Sequence, residues 1–226
     1  MTRNYLDANP SMTVLPSLAL GFALGIRHAT DADHIAAVGT IVSDGRSARH
    51  AAVVGTAWGV GHSLSVLLVG GALVLLRLPM PVRVALALEF AVALMLIGLG
   101  VRSLRSRGRE TRAHSTVRPL AVGIMHGLAG SAVLALLVLG ATTNAVAAAI
   151  YLICFCVGTI AGMALVTALL SLPAQLNPAR ALTFERGVRV AAGVASVAIG
   201  LAMVHKIGVQ DGLFAAIPAA PAVPHE

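Results

Sequence analysis

The sequence predicts an all-α, polytopic membrane protein of about six transmembrane helices, forming a single transmembrane domain over residues 1–226. Three observations carry that prediction. Only 11% of the residues are charged and 58% are hydrophobic, whereas a soluble domain carries about a quarter charged residues. Apolar windows of roughly 20 residues recur, each long enough for a hydrocarbon core about 30 Å thick. Breakers and most charges fall between those windows or at their ends, and the one dense cluster of ionisable residues inside a window lies near the N-terminus.

The windows run over 14–42, 51–76, 82–101, 119–140, 145–172 and 188–207. Breaks are expected at Asp44-Gly45, at Pro79 and Pro81, at Thr142 to Asn144, and at Pro173 and Pro178. The polar segment 102–118 is a loop, 208–226 is the tail, and the stretch from Pro218 onward is expected to be unstructured. The first window is too long for one straight span, so it should be tilted, broken or partly re-entrant. The N-terminus lacks the cationic start and small-residue cleavage site of a secretory signal. Cys154 and Cys156 lie two apart on a helix and face different ways, which argues against a disulfide between them.

Charge fixes the orientation. The loops after the first, third and fifth windows hold Arg46, Arg49, Arg102, Arg105, Arg107, Arg109, Arg112, Arg118, Arg180, Arg186 and Arg189. The other side holds Arg3, Arg77, Arg83 and Lys206, so eleven cations face four and the first group belongs in the cytoplasm. Both termini then face outward. The net charge of +7 is this orientation signal and not a nucleic-acid footprint; the partners expected are the lipid bilayer and a small ion, and a homo-oligomer is compatible with both.

The halves echo one another. Gly25-Ile26-Arg27-His28 recurs as Gly123-Ile124-Met125-His126, Val54-Gly55-Thr56 as Val157-Gly158-Thr159, and Ile97-Gly98-Leu99 as Ile199-Gly200-Leu201. This suggests a first repeat over 14–101 and a second over 119–207. With three spans each, the two would enter the membrane from opposite sides, as in secondary transporters that bind substrate near the midplane.

The ionisable cluster lies in the first window, where His28, Asp31, Asp33 and His34 stand together within seven residues. Ionisable groups cost several kcal/mol each in a bilayer when unpaired, so such a cluster is a functional hypothesis by default. Imidazole nitrogen with carboxylate oxygen suits a borderline divalent cation. On an ideal helix with His28 at zero, Asp31 lies near −60° and His34 near −120°, while Asp33 lies near +140°. Either the helix unwinds here and all four bind one ion, or Asp33 orients an imidazole from outside the coordination sphere. A structural salt bridge with Arg27 is the competing explanation. His62, flanked by Gly59 and Gly61, is a candidate ligand or gate, and His126 a candidate for the same pathway. Glu89 is a candidate proton-coupling group or ion-pair partner. His50, His114, His205 and His225 fall in loops or at helix ends and are expected to be solvated.

The stretch Leu24-Gly25-Ile26-Arg27-His28-Ala29-Thr30-Asp31-Ala32-Asp33-His34-Ile35-Ala36-Ala37 resembles the signature of the nickel/cobalt transporter family, and Gly61-His62-Ser63 resembles its second motif. The chain's length and Met125-His126-Gly127-Leu128-Ala129-Gly130-Ser131-Ala132 are similar to the compact branch of urease-accessory-type nickel permeases. The resemblance implies that His28, Asp33 and His34 recognise the metal, with His62 assisting, and that the protein is a carrier and not an enzyme. The metal sites expected are therefore His28, Asp31, Asp33, His34, His62 and His126, with no cofactor, since nickel or cobalt is cargo.

The function this suggests is secondary uptake of divalent nickel, or cobalt, across the cell (inner) membrane. A loop containing only His114 among its histidines favours uptake over export. The alternatives are an exporter, or a metal-delivery component of a nickel-enzyme maturation system. A membrane haem protein using His28 and His62 is disfavoured by the clustered acids. A hydrolase using Ser63 or Ser131 is disfavoured because the adjacent His62 and Ser63 point apart.

Overall fold

The computed structural model describes residues 10–42, 47–78, 80–106, 116–141, 145–176 and 181–214. They form seven helices, α1 Pro10–His28, α2 Ala32–Val42, α3 Ala48–Leu76, α4 Val82–Arg105, α5 Val117–Ala141, α6 Ala145–Leu176 and α7 Ala181–Gln210, with no strand among them. Four of the seven, in α3, α4, α6 and α7, are long and apolar enough to cross a membrane, and Leu18–His28 is a shorter apolar helix. Large apolar side chains such as Leu68, Leu75, Leu94, Leu165 and Val194 lie exposed on the outer surface. Helices satisfy their own backbone groups, so apolar walls of this kind suit lipid. The protein is a multi-pass membrane protein.

The break expected in the first window lies at Ala29–Asp31, and its local chemistry is visible. Thr30 and Asp31 turn their N–H groups to the carbonyls three residues back, at 2.9 Å from Arg27 and 3.1 Å from His28. The Thr30 hydroxyl donates to the same Arg27 carbonyl at 2.6 Å. Such side chains offer the backbone an alternative to the helix ladder. The Asp31 carbonyl then accepts from Ile35 at 3.0 Å and starts α2. Arg27 and His28 sit in the last turn of α1 and Asp33 in the first turn of α2, which matches both helix dipoles.

The other boundaries follow from caps. Ser47 caps α3, accepting from the His50 N–H at 3.3 Å. A π-helical turn at Val66–Gly70 interrupts α3 four residues beyond His62. Arg77 closes the helix in the left-handed region at φ 51°, a position where glycine is usual. Pro81 precedes α4. The expected break at Pro173 is corrected: α6 continues through it to Leu176. Proline costs the helix the bond from its own missing N–H, but only three residues follow it, to Leu176, and the Gln175 amide donates to the Ser171 carbonyl at 3.2 Å. The expected breaks at Asp44-Gly45, Pro79, Thr142 to Asn144 and Pro178, and most of the 102–118 loop and 208–226 tail, lie outside the described residues. Cys154 and Cys156 are both free thiols.

Helix α6 packs against α1 and α3, α3 also against α5, and α4 pairs with α7, while α2 bridges to α4 and α7. The core is built from Trp58, Leu96, Met163, Val38 and Val92. Glycine lets backbones approach where lipid supplies no hydrophobic drive. A Cβ added at Gly25 would overlap the Phe155 carbonyl, and one at Gly158 would overlap the Phe22 carbonyl.

Polar side chains lock the helix pairs. Ser196 on α7 is fully buried and donates to the Leu96 carbonyl of α4 at 2.8 Å. Interhelical hydrogen bonds of this kind contribute about 0.6 kcal/mol on average and up to about 1.7. Ser196→Ala should therefore lower the thermal midpoint in detergent slightly, by an amount within that range, with no effect on ion binding.

Candidate metal centre

The α1–α2 break, the middle of α3 and the first half of α5 bring four imidazoles and two carboxylates together. His34, His62 and His126 are buried at 2%, 1% and 3% exposure. The His28 side chain is 22% exposed, Asp33 28% and Asp31 50%. His34 is central: its ring centroid lies 4.5 Å from His28, 4.7 Å from His126 and 5.4 Å from His62.

The carboxylates set the tautomers. His28 donates its Nδ1–H to Asp31 at 2.8 Å, which leaves Nε2 as a lone pair. His34 donates Nδ1–H to Asp33 Oδ1 at 3.1 Å, and His126 donates Nε2–H to Asp33 Oδ2 at 3.2 Å. The nitrogens left over, His34 Nε2 and His126 Nδ1, are buried without a partner, as is His62 Nδ1. Buried polar atoms are nearly always hydrogen-bonded, so this concentration of unpaired nitrogens fits a site built to receive a cation. The carboxylate–imidazole pairs are the arrangement that orients and strengthens histidine ligands in metal sites.

Two sets of donors are close enough to share an ion. Suitable atoms of His28, His34 and His62 lie within 4.8 Å of one another, and so do those of Asp33, His34 and His126. His28 Nε2 and His62 Nε2 are 3.3 Å apart, close to the edge of a tetrahedron about a cation at ~2.0–2.1 Å from each nitrogen.

Every residue singled out in the sequence cluster is in or beside this site. Among the described residues the acids pair with imidazoles, Asp31 with His28 and Asp33 with His34 and His126, where a salt bridge to Arg27 is the competing expectation. The helix is broken, so ideal-helix angles do not apply, and Asp33 faces His34 and His126 together. Glu89 lies elsewhere, on α4. The Ser63 hydroxyl donates to the Cys156 carbonyl at 3.3 Å and takes no part in a nucleophile pair; the Ser131 side chain lies outside the described residues.

Two residues escaped the sequence reading. Trp58 stacks near His34 at 5.4 Å and His126 at 5.9 Å, and Phe155 lies 5.4 Å from His28. Trp58, the only tryptophan of the chain, precedes His62 by four residues and so shares its face. Phe155 carries no comparable signal, because its approach depends on how α6 packs on α1.

Asp33→Asn puts an amide where two imidazole N–H groups are received. It should weaken nickel binding by about 10–100-fold, measured by calorimetry on purified protein.

Residues 15–119 match the family described as "High-affinity nickel-transport protein". Over 220 residues the chain is 31% identical to the urease accessory protein UreH of Bacillus sp. (strain TB-90), covering 89% of this chain and 96% of that protein. No solved structure matches the chain.

Proposed function

Since this chain belongs to the nickel-transport family matched above, we propose that it takes up divalent nickel, with cobalt as second choice, across the cytoplasmic membrane as a secondary transporter. The observation that carries this is the set of buried imidazoles, most of them oriented by carboxylates, whose ligand atoms lie within 4.8 Å of one another in two overlapping groups inside a helix bundle. A hydrated cation sheds water there in exchange for His28, His34 and His62, with Asp31 and Asp33 holding the rings. His126 and Asp33 belong to the same pathway.

The single domain is read as six spans in two inverted repeats, α1–α4 and α5–α7, with both termini outward and the 102–118 loop in the cytoplasm. Paired contacts support the repeats. Gly25 meets Phe155 and Thr159 as Gly123 meets Trp58 and His62. Gly158 meets Phe22 as Gly61 meets Leu120, and Gly100 meets Gly193 and Val197 as Gly200 meets Ala93 and Ile97. His28 lies by Phe155 as His126 lies by Trp58. These contacts keep the Gly25–Gly123 and His28–His126 correspondence of the sequence echoes. In this reading Gly158 corresponds to Gly61 and Gly200 to Gly100, a few residues from the Gly55 and Gly98 of the short echoes.

A second reading is favoured by one finding, the urease accessory name of the relative from Bacillus. In it the protein hands nickel to an enzyme maturation system. Uptake of labelled nickel into liposomes holding only this chain separates the two: the carrier needs no partner, the delivery component does. In cells, His28→Ala should abolish accumulation, and wild-type accumulation by that variant would overturn the site.

Only neutral imidazole binds metal, so protons compete with nickel. Acidifying the medium should therefore reduce uptake, and raising the pH should restore it. Initial rates between pH 5 and 8 test the sign.

A further inference from the structure

The donor atoms around His34 form two groups and not one. His28 and His62 lie on one side, 3.3 Å apart through their Nε2 atoms. Asp33 and His126 lie on the other, 3.2 Å apart. His34 belongs to both groups and is buried, while each group has one partly exposed member, His28 in the first and Asp33 in the second. His34 Nδ1 is engaged by Asp33, so Nε2 is the atom it can give the first group, and Nδ1 the atom it can give the second. A neutral imidazole has one lone pair at a time, so the groups cannot both be filled through His34 without forming an imidazolate.

We propose that the chain holds two overlapping stations for one divalent ion, His28–His34–His62 and Asp33–His34–His126, and that the ion passes between them as His34 changes the nitrogen it offers. This rests on the carrier reading above and adds to it a second station supplied by the second half of the chain. The proton balance is simple. When the ion leaves Nε2 for Nδ1, the ring proton on Nδ1 moves to Nε2 by way of water that the partly hydrated ion brings in, since the ring itself is 2% exposed. The proton on His126 Nε2 moves likewise to Nδ1, the atom that is unpaired in the structure. No net proton is released by the transfer. Asp33 needs no proton exchange, since its two oxygens give up imidazole N–H groups and take the cation.

The two stations predict a split between binding and movement. The first station captures the ion at equilibrium, whereas the second is needed for the ion to go on. His126→Gln should therefore bind nickel within about threefold of wild type, by calorimetry on protein in lipid nanodiscs, while uptake into liposomes falls at least tenfold. His28→Ala should lose at least tenfold in binding and its uptake with it. Wild type should bind one nickel per chain. His126→Asn is the second variant should His126→Gln melt below the assay temperature, and the same split is expected of it.

Equal binding losses in His126→Gln and His28→Ala would mean one composite site and would overturn the relay while leaving the carrier intact. Wild-type uptake by His126→Gln would overturn it as well, making His126 a bystander. Two nickel ions bound per wild-type chain would contradict a shared His34. A wild type that neither binds nor carries nickel would instead remove the carrier reading, and the relay with it.

Discussion

His34→Ala should eliminate nickel binding and uptake, with a loss larger than that of any other single ligand. His34 is 2% exposed, central to the three other imidazoles, and common to both donor groups. Removing its ring takes a ligand from each group and leaves Asp33 bonded to His126 alone. Loss of an outer carboxylate partner alone costs about 10–100-fold in affinity, and the loss of this shared ligand should exceed ~100-fold. Binding by calorimetry and uptake of labelled nickel should fall together. The thermal midpoint should fall as well, because a buried ring and its bond to Asp33 are lost and a cavity remains, so both assays are run below the variant's midpoint.

A larger structural effect is expected of Gly25→Val, which should destroy the fold and the activity together. Even a Cβ at this position would overlap the Phe155 carbonyl and lie 2.7 Å from the Thr159 nitrogen. Both are backbone atoms of α6, so no rotamer change relieves the clash. Overpacking a tight contact costs about 1–3 kcal/mol and occasionally more; here two backbones must separate, and the upper end or beyond is expected. Gly123→Val should behave alike, with Trp58 and His62 as the atoms met. Gly98→Ala is the control, since nothing lies within 4 Å of its added Cβ. Size-exclusion profiles and thermal midpoints in detergent read all three.

Much of this architecture is legible in the chain because its strongest signals are local. The cluster from His28 to His34 marks both a site and a broken helix, for two imidazoles and two acids cannot share a straight helix face. Thr30 and Asp31 supply the turn. His62 is marked by its glycines and His126 by its likeness to His28. What resisted reading depends on long-range packing. That Asp33 serves His34 and His126 at once follows from where α5 lies, 93 residues away in sequence for His126. Phe155 beside His28 depends on how α6 packs on α1. Pro173 misled for a different reason: proline disrupts a helix interior, but at the last turn little remains to disrupt.

The central claim is that nickel sheds water and is held by imidazoles between α1, α2 and α3. X-ray absorption at the nickel edge of the loaded protein tests it most directly. Imidazole scattering from about three rings at ~2.0–2.1 Å is expected, reduced by one ring in His62→Ala. A shell of oxygen alone, unchanged in that variant, would contradict it.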